Sequence, residues 1–348
     1  MSKWPYPHIL SMNAFFELSS LSALRAFACC VMLSSSSLAQ PPATPALRLI
    51  GTVAMPNVDG RIDHMALDVV GQRLFVAALG NNTLEVIDVR NAKLVRTVKG
   101  LREPQGVAHA PPSNRIYVGS RADGSLRIFD ATSFALLKSI TYGQDADNVR
   151  YEAHADRVWV GYGEGALGVI DRNGAKLADV PLGAHPESFQ LELNGPRIFV
   201  NVPPLHSIAV VDRRTRKITA SWSTGDAAAN YPMALDESNH RLFVVCRRPA
   251  RLIVIDTVTG TIIATVPVVG DSDDAFYDAA RKRIYAVGGE GAVSVLEQQD
   301  ADHYRELERI RTAPGARTGY FSADLGLLFV AARRRGAEPA EIRIYETR

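Results

Sequence analysis

Short runs in which apolar and polar residues alternate occupy almost the whole chain after residue 46. Residues 73–88, RLFVAALGNNTLEVID, contain two such runs around an Asn-rich turn, and their apolar positions are mostly β-branched or aromatic. Similar pairs of runs occupy residues 115–130, 157–171 and 197–212. Alternation of this kind, interrupted by turn residues, predicts β-strands joined as hairpins. The chain is therefore expected to be built from one hairpin repeated many times.

The hairpin repeats with a period of about 42 residues. Its second strand begins, in successive units, at Arg73, Arg115, Arg157, Arg197, Arg241, Arg283 and Leu327. An acidic residue ends the third strand of each unit, at Asp88, Asp130, Asp171, Asp212, Asp256, Glu297 and Glu346. Each unit contains four strand-like runs, and only residues 300–310 show a weak helical pattern. Four strands at this period are typical of propeller blades, so the sequence predicts an all-β, seven-bladed β-propeller of four-stranded antiparallel blades.

The two ends of the chain are expected to share one blade. The last unit stops at its third strand, EIRIYETR, whereas residues 47–56, LRLIGTVAMP, resemble the fourth strand LVRTVKGL of the first unit. Pairing the N-terminal strand onto the last blade would complete that blade and close the ring, which removes two exposed sheet edges. We therefore expect one closed propeller domain over residues 46–348. The recurring arginine and acid are expected to support this scaffold, through turn hydrogen bonds or contacts between blades.

The first residues have the pattern of an export signal. Arg25 precedes the apolar run 26–33, AFACCVML, and the small polar stretch SSSSLAQ follows it. Ser37 and Ala39 are small residues at the positions that precede a signal-peptidase cut, so residues 1–39 are interpreted as a signal peptide. The mature chain would then be periplasmic or secreted by a bacterium, without a transmembrane anchor. Two alternatives remain: translation starting at Met12 rather than Met1, and a retained amphipathic segment.

The overall composition restricts the chemistry and the partners. The chain has 348 residues, 47% of them hydrophobic, which is enough for a large core, and its net charge is only +2. A charge this small does not predict nucleic-acid binding. Cleavage after residue 39 would leave Cys246 as the only cysteine, which excludes an intramolecular disulfide and a cysteine-based metal site. We expect the mature propeller to be a monomer whose core alone supplies its stability.

The hairpin sequences resemble those of a known family. RLFVAALGNNTLEVID and its repeats are similar to the YVTN repeat of bacterial seven-bladed propellers, the YncE-like group. The resemblance covers nearly all of the mature chain, and it implies the seven-bladed fold. It does not imply an activity, because this fold serves many unrelated functions. Function should therefore be sought where the repeats differ.

The repeats differ most where the innermost strand of each blade begins. Ten residues before the start of each second strand, the units carry Asp63, Gln105, Asp147, Glu187, Tyr231, Asp273 and Arg317. The next residues are His64, Gly106, Asn148, Ser188, Pro232, Asp274 and Thr318. Two residues before the first set are Arg61, Glu103, Asp145, His185, Ala229, Asp271 and Gly315. In a propeller these segments converge around one mouth of the central channel, so the sequence predicts a strongly charged mouth.

Several interpretations of this mouth remain open. In the first, its acids only cap N–H groups of tight connections, as polar groups at propeller mouths commonly do. A hard cation such as Ca²⁺, or another divalent metal, is the alternative for the oxygen ligands Asp147, Asn148, Glu187, Asp273 and Asp274. His64 and His185 would suit a general base or a softer metal. An organic ligand would instead contact Arg61, Asp63, His64, Glu103, Gln105, Arg150, His185, Tyr231 and Arg317, with the arginines binding a carboxylate or phosphate.

Two functions are consistent with the sequence. The first is a non-enzymatic exported propeller that binds an unidentified small molecule or protein partner at the mouth. The second is a hydrolase of the lactonase or esterase kind, in which a divalent metal at the same mouth polarises a carbonyl and activates water. The sequence has no Ser nucleophile elbow, phosphate-binding glycine loop or paired zinc-ligand motif. No certain cofactor is therefore predicted.

Overall fold

The structure, a computed structural model, describes residues 44–348, and the predicted signal peptide lies outside this range. Its first strand is β1 (Leu47–Met55). Blade 1 consists of β2 (Met65–Asp68), β3 (Arg73–Ala78), β4 (Thr83–Asp88) and β5 (Lys93–Val98). Blade 2 consists of β6 (Pro104–Ala110), β7 (Arg115–Ser120), β8 (Ser125–Asp130) and β9 (Leu136–Thr141). Blade 3 consists of β10 (Ala146–Glu152), β11 (Arg157–Tyr162), β12 (Ala166–Asp171) and β13 (Lys176–Pro181).

The next three blades repeat this arrangement. Blade 4 consists of β14 (Phe189–Leu191), β15 (Arg197–Val202), β16 (Ser207–Asp212) and β17 (Lys217–Ser223). Blade 5 consists of β18 (Ala228–Asp236), β19 (Arg241–Arg248), β20 (Ala250–Asp256) and β21 (Ile262–Pro267). Blade 6 consists of β22 (Ser272–Asp278), β23 (Arg283–Gly288), β24 (Ala292–Gln298) and β25 (Tyr304–Arg311). Short 3-10 turns occupy Leu79–Asn81, Pro111–Ser113 and Pro203–Leu205.

The last blade joins both ends of the described chain. It consists of β26 (Gly319–Ser322), β27 (Leu327–Ala332), β28 (Ala340–Thr347) and β1. Strand β1 pairs antiparallel with β28, and Val53 and Met55 are buried against side chains of β3, β27 and β28. The predicted fold is therefore confirmed: seven antiparallel four-stranded blades, with the N-terminal strand completing the last one. The region predicted to be weakly helical instead forms β25, the outermost strand of blade 6.

The recurring arginine and acid have scaffold roles, as predicted. Arg241 Nε donates a hydrogen bond of 2.9 Å to Ala301 O, three residues after the third strand of the next blade. Arg73, Arg115, Arg197 and Arg283 donate to the carbonyl directly after the third strand of the next blade, at Ala131, Arg172, Thr257 and Arg348. The five recurring aspartates accept hydrogen bonds from backbone N–H groups of the turn that follows, as Asp256 does from Val258 and Thr259. These contacts fix each turn and hold neighbouring blades together.

The first strand of each blade is the innermost one, and these strands surround the central channel. Strand β6 contacts β2 and β10, and β22 contacts β18 and β26. All innermost strands run in the same direction, so their first residues meet at one mouth of the channel. No helix in residues 44–348 is long and apolar enough to cross a membrane.

Candidate ligand and metal site at the channel mouth

Irregular pairing at the start of the innermost strands orients the side chains of the mouth. The register shifts within β6 between Pro104 and Val107, within β10 between Ala146 and Val149, and within β22 between Ser272 and Asp274. A shift of this kind adds a residue to one strand and turns neighbouring side chains in new directions. Asp273 therefore lines a cavity at the mouth, whereas the adjacent Asp274 lines a second cavity further along the channel.

The turns that enter the innermost strands have an unusual backbone conformation. Glu103, Asp145, Ala229 and Asp271 have φ values of 50°, 38°, 58° and 54°, in the left-handed region. Residues other than glycine occupy this region at a cost of roughly 1 kcal/mol each. The carbonyls of Glu103 and Asp271 accept hydrogen bonds from the N–H groups of Arg121 and Gly289, each of 2.9 Å. These turns place the side chains of Asp145 and Asp271 at the rim of the channel.

The mouth cavity has a volume of about 290 Å³. Its walls are formed by Arg61, Gln105, Arg121, Asp145, Asp147, His185, Glu187, Tyr231, Arg247, Asp273 and Arg317. The structure thus brings together most of the residues singled out in the sequence, from six different blades and the segment before blade 1. Arg121 and Arg247 were not predicted to lie here. Both occur six residues after the start of a second strand, which ends at the same rim where the antiparallel innermost strand begins.

One side of the mouth is rich in paired arginines. Arg317 binds Asp271 and Asp273, with distances of 2.9 Å from Nη1 to Asp271 Oδ1 and 3.2 Å from Nε to Asp273 Oδ2. Arg247 also contacts both carboxylates, and its guanidinium lies 4.0 Å from the ring centroid of Tyr231. Arg61 Nη2 lies 3.6 Å from Asp273 Oδ2. Arg61 Nη2 also lies 3.0 Å from Asp63 Oδ2, so on this side three guanidinium groups balance three carboxylates and each acid has an arginine partner.

The other side of the mouth holds Asp145, Asp147 and Glu187. In residues 44–348, no lysine or arginine nitrogen lies within 4.0 Å of these three carboxylates. Asp145 and Asp147 face imidazoles instead: His185 Nε2 is 3.8 Å from Asp145 Oδ2, and His64 Nε2 is 4.0 Å from Asp147 Oδ1. One ligand atom each from Asp147, His185 and Glu187 can be chosen so that all lie within 4.8 Å of one another. This acidic side therefore has the spacing of a three-residue metal site.

Burial and repulsion both disfavour the charged forms of these acids. Burial, with the charges of Asp63 and Asp145, raises the pKa of Asp147 to about 7, despite the attraction of His64. Burial and the charge of Asp147 raise the pKa of Glu187 well above its ordinary value. Asp147 Oδ1 is buried and has no hydrogen-bond partner. The carboxylates are therefore costly to keep together without a cation.

A layer of three charged residues, Asp63, His64 and Asp274, lies beneath the mouth, and we call it the charged septum. His64 Nδ1 is 3.2 Å from Asp274 Oδ1, and Asp274 Oδ2 accepts a hydrogen bond of 2.9 Å from the Gly319 N–H group. Burial alone would lower the pKa of His64, but the charges of Asp274, Asp63 and Asp147 raise it to about 10. His64 is therefore an imidazolium at neutral pH. In this state it acts as a counter-ion, because it can neither accept a proton nor bind a metal.

The remaining predicted residues lie outside the mouth cavity. Glu103 lies in a surface groove and pairs with Arg121, whose Nη1 is 3.5 Å from Glu103 Oε2. Asn148 is buried and accepts a hydrogen bond of 3.2 Å from Arg150 Nη2. Arg150 and Asp274 line the second cavity. The five predicted oxygen ligands are therefore divided, and only Asp147 and Glu187 belong to the possible metal site.

Asp147→Asn is expected to stabilise the metal-free protein at pH 8 and to have little effect at pH 4. The folded-state pKa of about 7 lies above the ordinary value of 3.8, so the wild-type protein loses stability as the pH rises between these values. Asparagine has no proton to lose and avoids this loss. The full pKa shift corresponds to a loss of ~4 kcal/mol in the free energy of unfolding. This shift already includes the attraction of His64, so we expect a gain of up to ~4 kcal/mol in the free energy of unfolding at pH 8.

Thermal unfolding in chelator at pH 4 and pH 8 measures this difference. A variant that melts below the wild-type protein at pH 8 would show that Asp147 stabilises the fold as a carboxylate.

Fold and site together define the class of protein: a seven-bladed β-propeller with a charged cavity at one mouth of its channel. Neither a family profile nor a curated protein matches the sequence. A chain of the Kuenenia stuttgartiensis hydrazine synthase superposes with a TM-score of 0.72 at 14% identity, over 82% of this chain and 95% of that chain. A chain of the mitotic checkpoint complex superposes with a TM-score of 0.74 at 13% identity, over 97% of this chain and 99% of that chain. At these identities the similarities show the fold alone.

Proposed function

We propose that this propeller binds a small anionic molecule at its channel mouth, through a divalent cation held by Asp147, His185 and Glu187. One observation carries the proposal: these three ligands converge within 4.8 Å in a part of the mouth where no arginine or lysine nitrogen of the described chain lies within 4.0 Å of the acids. A purely structural cluster would be expected to pair its buried acids, as the opposite side of the same mouth does.

The donor set indicates the kind of metal. One imidazole and two carboxylates suit a divalent transition metal such as Zn²⁺ or Mn²⁺ better than Ca²⁺, which prefers oxygen ligands alone. Three protein ligands leave at least one coordination position for a bound molecule. Since all three residues line the mouth cavity, that open position would face the cavity.

The opposite wall indicates the kind of ligand. Arg61, Arg247 and Arg317 place three guanidinium groups on this wall, balanced by Asp63, Asp271 and Asp273. A volume of about 290 Å³ lies at the small end of the range for ligand pockets. A small carboxylate or phosphate, bound to the cation at one end and near the arginines at the other, would match both walls.

Metal binding is tested by thermal unfolding, first in chelator and then with Zn²⁺, Mn²⁺ or Ca²⁺. We expect Zn²⁺ or Mn²⁺ to stabilise the wild-type protein by about 2.7 kcal/mol at a hundredfold excess over the dissociation constant. Glu187→Gln should abolish this effect, because it removes one of the three ligands. Glu164→Gln is the matched control, since Glu164 is exposed and lies outside the mouth cavity. Identical wild-type curves in chelator and in each metal would contradict the proposal.

The open position of the metal site also favours a second candidate function. A cation bound there would polarise the carbonyl of an ester or lactone and activate water, as in metal-dependent hydrolases. Assay of the metal-loaded protein against a panel of esters and lactones distinguishes the two functions. Turnover that disappears in Glu187→Gln would support the hydrolase.

The family and the location of the protein are parts of the same proposal. The repeated hairpin sequences support membership of the YVTN-repeat propellers, and the composition of residues 1–39 supports export to the periplasm or medium. N-terminal sequencing of the protein recovered from cells tests export, because an intact residue 1 or residue 12 on the soluble protein would exclude cleavage.

A further inference from the structure

A second cavity, which we call the channel chamber, occupies the channel on the other side of the charged septum. Its volume is about 590 Å³, twice that of the mouth cavity. The walls come from later residues of the innermost strands and are mostly apolar, including Met65, Val107, Phe276, Tyr320 and Phe321. This size and lining are typical of pockets that bind small organic molecules. The chamber is thus a different chemical environment from the mouth.

Arg150 brings a positive charge into this apolar chamber. Its Nη1 donates a hydrogen bond of 3.0 Å to Val149 O, and its Nη2 lies 3.2 Å from Asn148 Oδ1 and 3.5 Å from Ser188 Oγ. All three acceptors are neutral. Within residues 44–348, no carboxylate oxygen lies within 4.0 Å of its guanidinium nitrogens. The charges of Asp274 and Asp147 act on this guanidinium only from beyond that distance, so it has no direct ion pair, and an anion that enters the chamber would supply one.

The other polar groups of the chamber do not supply that anion. Asp274 is already engaged by His64 and by the Gly319 N–H group. His109 has no hydrogen-bond partner at either ring nitrogen, and burial lowers its pKa, so it is neutral at pH 7. The rings of Phe276 and Tyr320 lie 6.4 Å apart, centroid to centroid, in a tilted pair. The chamber therefore combines one guanidinium that has no direct ion pair with an aromatic wall.

We infer that the channel chamber binds an aromatic monocarboxylate, whose carboxylate accepts hydrogen bonds from Arg150 and whose ring packs against Phe276 and Tyr320. A single carboxylate would give the single guanidinium of the chamber its direct ion pair, and aromatic rings gain from offset or edge contacts with the wall. The charged septum separates this site from the mouth, so it does not depend on a metal at Asp147, His185 and Glu187.

Binding is tested with 2-naphthoate and its neutral analogue 2-naphthamide, by calorimetric titration of the full-length protein in chelator. We expect 2-naphthoate to bind in a 1:1 complex and the amide to bind at least about tenfold more weakly. Arg150→Gln should weaken the binding of 2-naphthoate by a similar factor and leave the affinity for the amide unchanged. Arg96→Gln is the control, because Arg96 is exposed and lies on β5, the outermost strand of blade 1. Equal affinities of the wild-type protein for acid and amide would overturn the inference.

A second pair of variants tests the location without changing a charge. Ala153 is exposed and lines the chamber, so Ala153→Trp should obstruct the opening and abolish binding of 2-naphthoate. Ala155→Trp, at an exposed position that does not line the chamber, should bind like the wild-type protein. Unchanged binding in both Arg150→Gln and Ala153→Trp would overturn the assignment. If binding is lost in Glu187→Gln instead, 2-naphthoate binds at the mouth, and the assignment to the chamber is also overturned.

Discussion

A chain that begins at residue 56 is expected to aggregate or to lose most of its thermal stability, whereas one that begins at residue 40 should unfold like the full-length protein. The first truncation removes β1 and exposes the edge of β28, which then presents unpaired backbone groups to other chains. The second truncation leaves every described strand in place.

The size of the effect follows from the side chains that β1 buries. Leu47, Val53 and Met55 are each at most 3% exposed. Burying three such side chains contributes roughly 5 to 9 kcal/mol, and that is a large part of the ~5–15 kcal/mol by which domains are stable. Differential scanning calorimetry and size-exclusion chromatography of both truncations measure the outcome. Equal melting temperatures would show that the ring does not need β1.

Gly106→Ala is expected to destabilise the protein by about 3 kcal/mol or to prevent folding. A Cβ atom at Gly106 would lie 1.8 Å from Asp147 O and 2.8 Å from Val149 N, and both are backbone atoms of β10. These atoms cannot rotate away as a side chain does, so β10 itself would have to move. Glycine therefore allows blades 2 and 3 to approach closely at the point where Asp147 enters the mouth.

Gly51→Ala is the matched control for this variant. Gly51 also lies in a strand, β1, but a Cβ atom there would meet nothing within 4 Å. Chemical denaturation of the two variants compares their free energies of unfolding. A Gly106→Ala protein as stable as Gly51→Ala would mean that β10 can shift freely. If the variant folds, a lost response to Zn²⁺ or Mn²⁺ would further show that the position of Asp147 depends on this contact.

The fold could be predicted because the same four-strand pattern is repeated seven times. Each repeat is a separate observation of the same local structure, so errors in one repeat are corrected by the others. The exception is residues 300–310, where the spacing of charged residues is like that on the exposed face of a helix. In the structure, Tyr304–Arg311 alternates between half-buried and exposed positions because it is the outermost strand of its blade. The position of this segment within the repeat distinguishes an outermost strand from a helix, whereas its local pattern does not.

The candidate site could be located from the sequence but not resolved into its parts. Differences between aligned repeats identified Asp147, His185 and Glu187, because equivalent positions of a propeller meet at the channel. The same comparison could not show that arginines neutralise Asp273 and leave Asp147 unpaired, since that depends on side chains from several blades. Nor could it show that a register shift separates Asp274 from Asp273, because the shift lies in the pairing of two strands rather than in either sequence.

The pairing of β1 with β28 also determines when the molecule can finish folding. These strands are separated by nearly the whole described chain, from Leu47 to Thr347. Blades 1 to 6 are made of consecutive strands, but the last blade needs β1 together with β26 to β28. Such distant contacts are slow to form, because the entropy of closing the loop is lost before the contacts are gained. Ring closure therefore has to wait for β28, and until β1 pairs with it the last blade has an unpaired edge that can associate with other chains.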